Sequence, residues 1–179
     1  MSDKKHYIIT SIVLGSIAAV SGVLIGVTNL ITKDQIVKNE QNKINQGMKA
    51  IFKQNSIKYQ EFTKEEAQLE GDYKYLETVY VVSDENDNEL GCAFKLSGKN
   101  SYGKIALIAG YTKVDQSFIS LSLIVNEQSY ATTLVDNYIN PLNEGTRSLE
   151  DVHCGATFGA RLVHDMVIEG TNAAAEYFN

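Results

Sequence analysis

The chain has 179 residues and a formal net charge of −6, with 44% apolar and 21% charged residues. That balance describes a globular chain with room for one sizeable core and a small appendage, not a disordered one. Its acidity supplies no basic face, which argues against a nucleic-acid partner. Cys92 and Cys154 are the only cysteines and form no CxxC. They exclude a zinc ribbon or a cysteine-ligated cluster, leave one disulfide open, and mean that redox chemistry requires a bound cofactor.

Residues 7–32 carry no charge. A helix over them would be about 39 Å long at ~1.5 Å per residue, against about 30 Å of membrane hydrocarbon. Gly15, Ser16, Ala18, Ala19, Ser21, Gly22 and Gly26 punctuate the stretch and suit close packing against another membrane helix. A cleaved signal peptide is the other reading of such a segment, but its apolar region usually stops at ~15 residues. Lys4 and Lys5 precede the span, which places the N-terminus in the cytoplasm and the rest of the chain outside.

Beyond the span, Thr32 and Asp34 suit a helix start. Val37, Ile44, Met48 and Ile51 recur with helical spacing, so a stalk helix is expected to about Phe52. The segment 53–72 is polar and reads as loop with a short helix. Residues 75–83 and 89–97 are β-rich and flank the turn cluster 84–88. Residues 104–113 and 117–126 form a second pair. Four strands in hairpin order predict an antiparallel meander that buries one face. A short helix over 131–139, closed by Asn140-Pro141, and a polar turn region follow. Phe158, Leu162, Val163, Met166, Val167, Ala173, Ala174 and Tyr177 then mark a terminal helical stripe, which Gly170 interrupts.

The strongest chemical signal is Asp151-Val152-His153-Cys154-Gly155-Ala156-Thr157, immediately before that stripe. A small, glycine-containing turn opening a helix leaves backbone N–H groups free for an anion, and phosphate is the natural ligand. The Thr157 hydroxyl falls where such a phosphate would sit. A helix-capping threonine is the plainer alternative.

These residues resemble the flavinylation motif Asp-x-x-[Ser/Thr]-Gly-Ala-Thr of the FMN-binding domain family. That family includes the G subunit of the Rnf electron-transport complex and the C subunit of the sodium-pumping NADH:quinone oxidoreductase. The resemblance implies FMN esterified to Thr157 by a flavin transferase that uses FAD, with Asp151, Gly155 and Ala156 as recognition residues. Cys154 stands where the family has a hydroxyl residue. The uncharged span followed by residues 28–36, and Ser101-Tyr102-Gly103-Lys104-Ile105, also resemble these subunits; the short chain is more similar to the Rnf type. The family's Glu-Thr-Pro-Gly-Leu-Gly segment is replaced by residues 127–134. There Glu127, Thr132 or Thr133, and Leu134 correspond, and Tyr130 is a candidate to stack on a flavin ring or to join the core.

The resemblance therefore implies an α+β protein: an N-terminal transmembrane helix followed by an antiparallel β-meander with flanking helices. Its expected organisation is a cytoplasmic 1–6, a membrane helix 7–32, a stalk and connection 33–72, and an extracytoplasmic FMN-binding domain 73–179. It implies a single-pass cell-membrane subunit that carries electrons beside other membrane subunits of an Rnf-type complex, with catalysis belonging to the assembly. A noncatalytic membrane-anchored binding or assembly module of the same fold, without covalent flavin, is the alternative. No Ser–His–Asp arrangement, P-loop or G-x-G-x-x-G is present. His153 and His164 lack metal partners at ligand spacing.

Overall fold

A computed structural model describes residues 2–179. The chain forms two compact units, one ending at Asn42 and the other running Lys43–Asn179. The helix α1, Ser2–Phe52, is continuous across the boundary, so no new helix begins at Thr32. The Thr32 hydroxyl instead donates back to the Thr28 carbonyl at 2.8 Å. The side chains of Lys4, Lys5 and Asp34, on which the orientation and helix-start expectations rest, lie outside the described residues. Among those described, one helix is long and apolar enough to cross a membrane. It is Ile9–Thr28, 20 residues of mean hydropathy 2.1, with none of it buried inside the protein.

The unit Lys43–Asn179 is an α+β domain built on five antiparallel strands in sequence order. They are β1 (Lys58–Phe62), β2 (Leu76–Ser83), β3 (Glu89–Asn100), β4 (Gly103–Thr112) and β5 (Phe118–Asn126). The expected meander is present with one more strand than expected. β1 occupies the segment read as loop and pairs with β2 from Lys58 opposite Ser83 to Phe62 opposite Val79.

The sheet buries both faces rather than one. Along β3 and β4 alternate residues point in opposite directions. Cys92, Phe94, Leu96, Ile105, Leu107, Ala109 and Tyr111 enter the larger core. Ala93, Ala106 and Ile108 enter a second core with Ile44, Met48 and Ile51 of α1. Val37, earlier in the same stripe, is exposed. The end of α1 comes close to the sheet because two glycines permit it. A Cβ at Gly110 would lie 2.2 Å from Ile51 Cγ2, and one at Gly47 would lie 2.8 Å from Ser122 Cβ. Lys53, at φ 52°, then turns the chain out of the helix while the Gln54 N–H reaches the Lys49 carbonyl at 3.2 Å.

The larger core is closed by α4, Thr157–Tyr177, a single uninterrupted helix. Gly170 does not split it. A Cβ there would lie 2.3 Å from the Tyr111 hydroxyl, so glycine is what lets the helix approach β4. On its outer side Glu169 accepts hydrogen bonds from the N–H groups of Lys74, Tyr75 and Leu76, at 3.0, 2.6 and 3.0 Å. Cys92 and Cys154 are both buried free thiols.

Between β5 and α4 the chain forms α2 (Ala131–Leu134), a π-helical turn (Val135–Ile139) and α3 (Asn140–Asn143). Asn140-Pro141 does not end this helix. Pro141 sits in the first turn of α3, where a missing N–H is tolerated. The Asn137 carbonyl, four residues before the proline, accepts a hydrogen bond from the Arg147 guanidinium instead.

Met48 is fully buried between α1 and the sheet. Met48→Ala should therefore destabilise the domain by about 2–5 kcal/mol, measured by denaturant unfolding of the detergent-solubilised chain. A loss comparable to that of an exposed position such as Val37→Ala would contradict the second core.

Candidate functional site

Three connections converge at the start of α4. The β3–β4 hairpin turns through Asn100, Ser101, Tyr102 and Gly103. Gly103 has φ +137°, and a Cβ there would lie 2.1 Å from the Glu127 carbonyl oxygen, so only glycine lets the hairpin approach the chain leaving β5. Gln128, a buried polar side chain, donates from Nε2 to the Gly103 carbonyl at 2.6 Å and to Asn100 Oδ1 at 3.1 Å. The Asn100 side chain in turn accepts from the Tyr102 N–H at 2.8 Å and donates to the Phe158 carbonyl at 3.0 Å. Hairpin, connection and helix start are thus tied by two amide side chains.

The cleft they enclose has a volume of about 250 Å³ and is lined by residues that include Tyr102, Gln128, Tyr130, Gly155, Thr157 and Phe158. Its aromatic residues are exposed: Phe158 by 60%, Tyr130 by 59% and Tyr102 by 38%. Tyr102 and Phe158 stack on each other with ring centroids 5.1 Å apart and an interplanar angle of 26°. Phe158 was expected in the core stripe of α4. Its position in the first turn points it into the cleft instead.

Thr157 is the first residue of α4, and Ala156 occupies the capping position without a side-chain hydrogen bond. The helix start is therefore uncapped, and its first-turn N–H groups have no side-chain acceptor. Among the described residues, the half-buried Thr157 hydroxyl has no hydrogen-bond partner. Gly155 has φ +86°, a left-handed conformation that favours glycine, and a Cβ there would lie 3.2 Å from Thr133 Cγ2.

The other sequence-derived residues are distributed around this point. Gly155, Ala156, Thr157 and Tyr130 line the cleft. Thr133 packs against Gly155 from outside the lining, and the buried Leu134 lies beneath Gly159. Cys154 is buried, and its carbonyl accepts from the Asn137 amide at 3.0 Å. Asp151 is exposed and pairs with Arg147 at 2.9 Å rather than lining the cleft.

Arg147, which sequence reasoning missed, organises the loop before the motif. Its guanidinium donates to the carbonyls of Asp151 and His153, each at 2.8 Å, and to that of Asn137. The i,i+4 spacing of Arg147 and Asp151 was the available signal. Tyr102, Gln128, Phe158 and Gly159 were likewise not singled out as site residues, because no local spacing links a hairpin turn to a helix start. His164, about two turns after Thr157 in α4, contacts Glu150 at 2.9 Å and Asp165 at 3.1 Å. Among the described residues, no group of three His, Cys, Asp or Glu side chains is arranged to hold a metal ion.

Fold and site together define an α+β domain that follows one candidate membrane-spanning helix and carries an aromatic-lined cleft at the start of its last helix. Residues 1–51 match the family model for the RnfG N-terminal region. That match covers under a third of the chain and supports a relationship to the RnfG subunit family of the Rnf complex. No curated protein matches the chain.

Partial burial pushes the His164 ring towards neutrality, but hydrogen bonds to Asp165 and Glu150 outweigh it and raise its pKa above 6.5. A raised folded value means that His164 stabilises the loop fully below the unfolded pKa. The contribution is lost as pH rises through the folded value. In an NMR titration Glu150→Gln should lower the His164 pKa. An unchanged value would mean that the Glu150 contact does not hold in solution.

Proposed function

We propose that this chain is an electron-carrier subunit of an Rnf-type complex, with FMN joined to Thr157 through a phosphoester. The observation that carries the reading is an unpartnered threonine hydroxyl at an uncapped helix start, opening into a cleft walled by exposed aromatic rings. Each component suits part of the cofactor. First-turn N–H groups and the helix dipole favour a phosphate. Gly155 lets the backbone turn sharply before the helix. Aromatic faces suit a planar ring.

The flavin supplies the capacity to accept and release electrons; the protein supplies attachment, orientation and a partly dry surface. At about 250 Å³ the cleft is smaller than the ~300–1,000 Å³ of pockets that engulf a ligand of drug size. Part of an attached flavin would therefore stay outside it, which suits exchange with neighbouring subunits. Attachment balances as a transfer from FAD. The Thr157 oxygen bonds to the flavin-side phosphorus, the pyrophosphate bond breaks, AMP leaves and the hydroxyl proton is released. A flavin transferase is the partner for that step. Arg147 keeps the preceding loop in one conformation for the enzyme to recognise.

Because the Thr157 hydroxyl has no partner among the described residues, Thr157→Val should change stability by no more than about 0.5 kcal/mol. Co-expressed with the transferase, the wild type should gain the FMN mass increment and fluoresce in a denaturing gel, and the valine variant should do neither. Retention of covalent flavin by the variant would move the acceptor elsewhere. Its absence from a wild type exposed to active transferase would favour the assembly-module reading.

We further propose that the N-terminus is cytoplasmic and the domain extracytoplasmic, on the strength of Lys4 and Lys5 before the span. Protease added to intact cells should cleave a site engineered into the exposed turn at Asn86, and protease confined to the cytoplasm should not. The reverse pattern would invert the topology.

A further inference from the structure

Of the large hydrophobic side chains exposed in the unit Lys43–Asn179, three of five belong to one cleft: Tyr102, Tyr130 and Phe158, with Val114 and Ile168 lying elsewhere. Isolated exposed apolar residues need no explanation, whereas a cluster of aromatics at a concave site does. Two of them are also fixed. Tyr102 and Phe158 stack, the Tyr102 N–H donates to Asn100, and Asn100 donates to the Phe158 carbonyl. Asn100 is itself held by the buried amide of Gln128. The pair is pre-organised on backbone that a hairpin glycine and two amide side chains hold in place.

We infer that Tyr102 and Phe158 are the residues that seat the isoalloxazine ring of a flavin attached at Thr157, with Asn100 as their positioning residue. The inference rests on the attachment proposed above and goes beyond it by assigning the ring contacts. The chemistry favours a planar, electron-poor ring. Phe158 directly follows the acceptor, so its ring is within reach of any group tethered there. A rigid aromatic pair offers stacking area at little entropic cost. The chain has no Thr-Pro-Gly-Leu-Gly segment after β5, and it is from that connection that Gln128 and Tyr130 reach the cleft. A docking protein surface is the competing occupant of the same aromatics.

The test uses the full chain co-expressed with flavin transferase, with loading verified by intact mass. Tyrosine in contact with an oxidised flavin quenches its fluorescence by electron donation to the excited ring, and a seated ring tumbles with the protein. The folded wild type should therefore be severalfold dimmer than the same chain after denaturation and should show slow anisotropy decay. Tyr102→Phe keeps an aromatic pair but removes the phenol, so brightness should rise severalfold while the slow decay stays. Asn100→Ala should retain the mass increment and add a fast decay component. A mass increment with a flavin as bright and as mobile as in the denatured chain would overturn the ring seat alone and favour a protein partner on the aromatics. The absence of any increment in the wild type would overturn the attachment and the seat together.

Discussion

The position of the candidate site depends on how closely α4 lies on the sheet. Tyr111, fully buried in β4, donates its hydroxyl to the Val167 carbonyl at 2.9 Å. Burial holds that hydroxyl protonated by pushing its pKa well up. The contact exists because Gly170 lacks a side chain where the hydroxyl passes. Nearer the start of the helix, a Cβ at Gly98 would meet Leu162 Cδ1 at 2.8 Å, so β3 clears a second seat. A buried hydrogen bond and two close approaches fix both the height and the rotation of the helix. With those fixed, the first residue of α4 has one place to be, and Thr157 occupies it.

The opposite side of the cleft is fixed by different means. The β3–β4 hairpin and the connection from β5 to α2 touch through backbone at Gly103, and Gln128 satisfies its buried amide across that junction. A buried amide with specific partners defines one arrangement of the connection, since leaving it unpaired costs ~1–3 kcal/mol. The arrangement leaves Tyr130 projecting at the cleft while Leu134, four residues later, is buried below it. One short segment thus supplies both the floor under α4 and part of the wall. Uncapped N–H groups at the helix start are tolerable on this surface because solvent or an anion can reach them.

Much of the fold was legible in the residues because its punctuation is local. The turn clusters at 84–88 and 114–116 mark two hairpins, and the uncharged 7–32 contains the apolar helical stretch Ile9–Thr28. β1 escaped because it is a five-residue edge strand with largely exposed residues, Lys-Tyr-Gln-Glu-Phe, whose polarity matches a loop. The second buried face escaped for another reason. The stripe Ile44, Met48, Ile51 was visible, but a stripe does not name its partner, and only the glycines at 47 and 110 bring α1 against the sheet. Pro141 misled as a terminator because the carbonyl it leaves free is taken by Arg147, a long-range contact. At the site, the run ending in Thr157 was legible as a helix-opening turn. Phe158 read as core from its helical spacing, and only its first-turn position turns it outward. Tyr102 comes from a hairpin more than fifty residues away, a proximity that sequence spacing does not encode.

The central claim is chemical, that Thr157 carries the flavin, and the sequence offers a direct way to examine it. Trypsin cleaves after Arg147 and Arg161, releasing Ser148-Leu-Glu-Asp-Val-His-Cys-Gly-Ala-Thr-Phe-Gly-Ala-Arg161, in which Ser148 and Thr157 are the only hydroxyl-bearing residues. Tandem mass spectrometry of that peptide, from chain matured with the transferase, reads both the presence and the position of the group. The account predicts an FMN phosphoester increment confined to fragments that contain Thr157. An increment mapping to Ser148 or Cys154, or a peptide that is unmodified throughout, would contradict it.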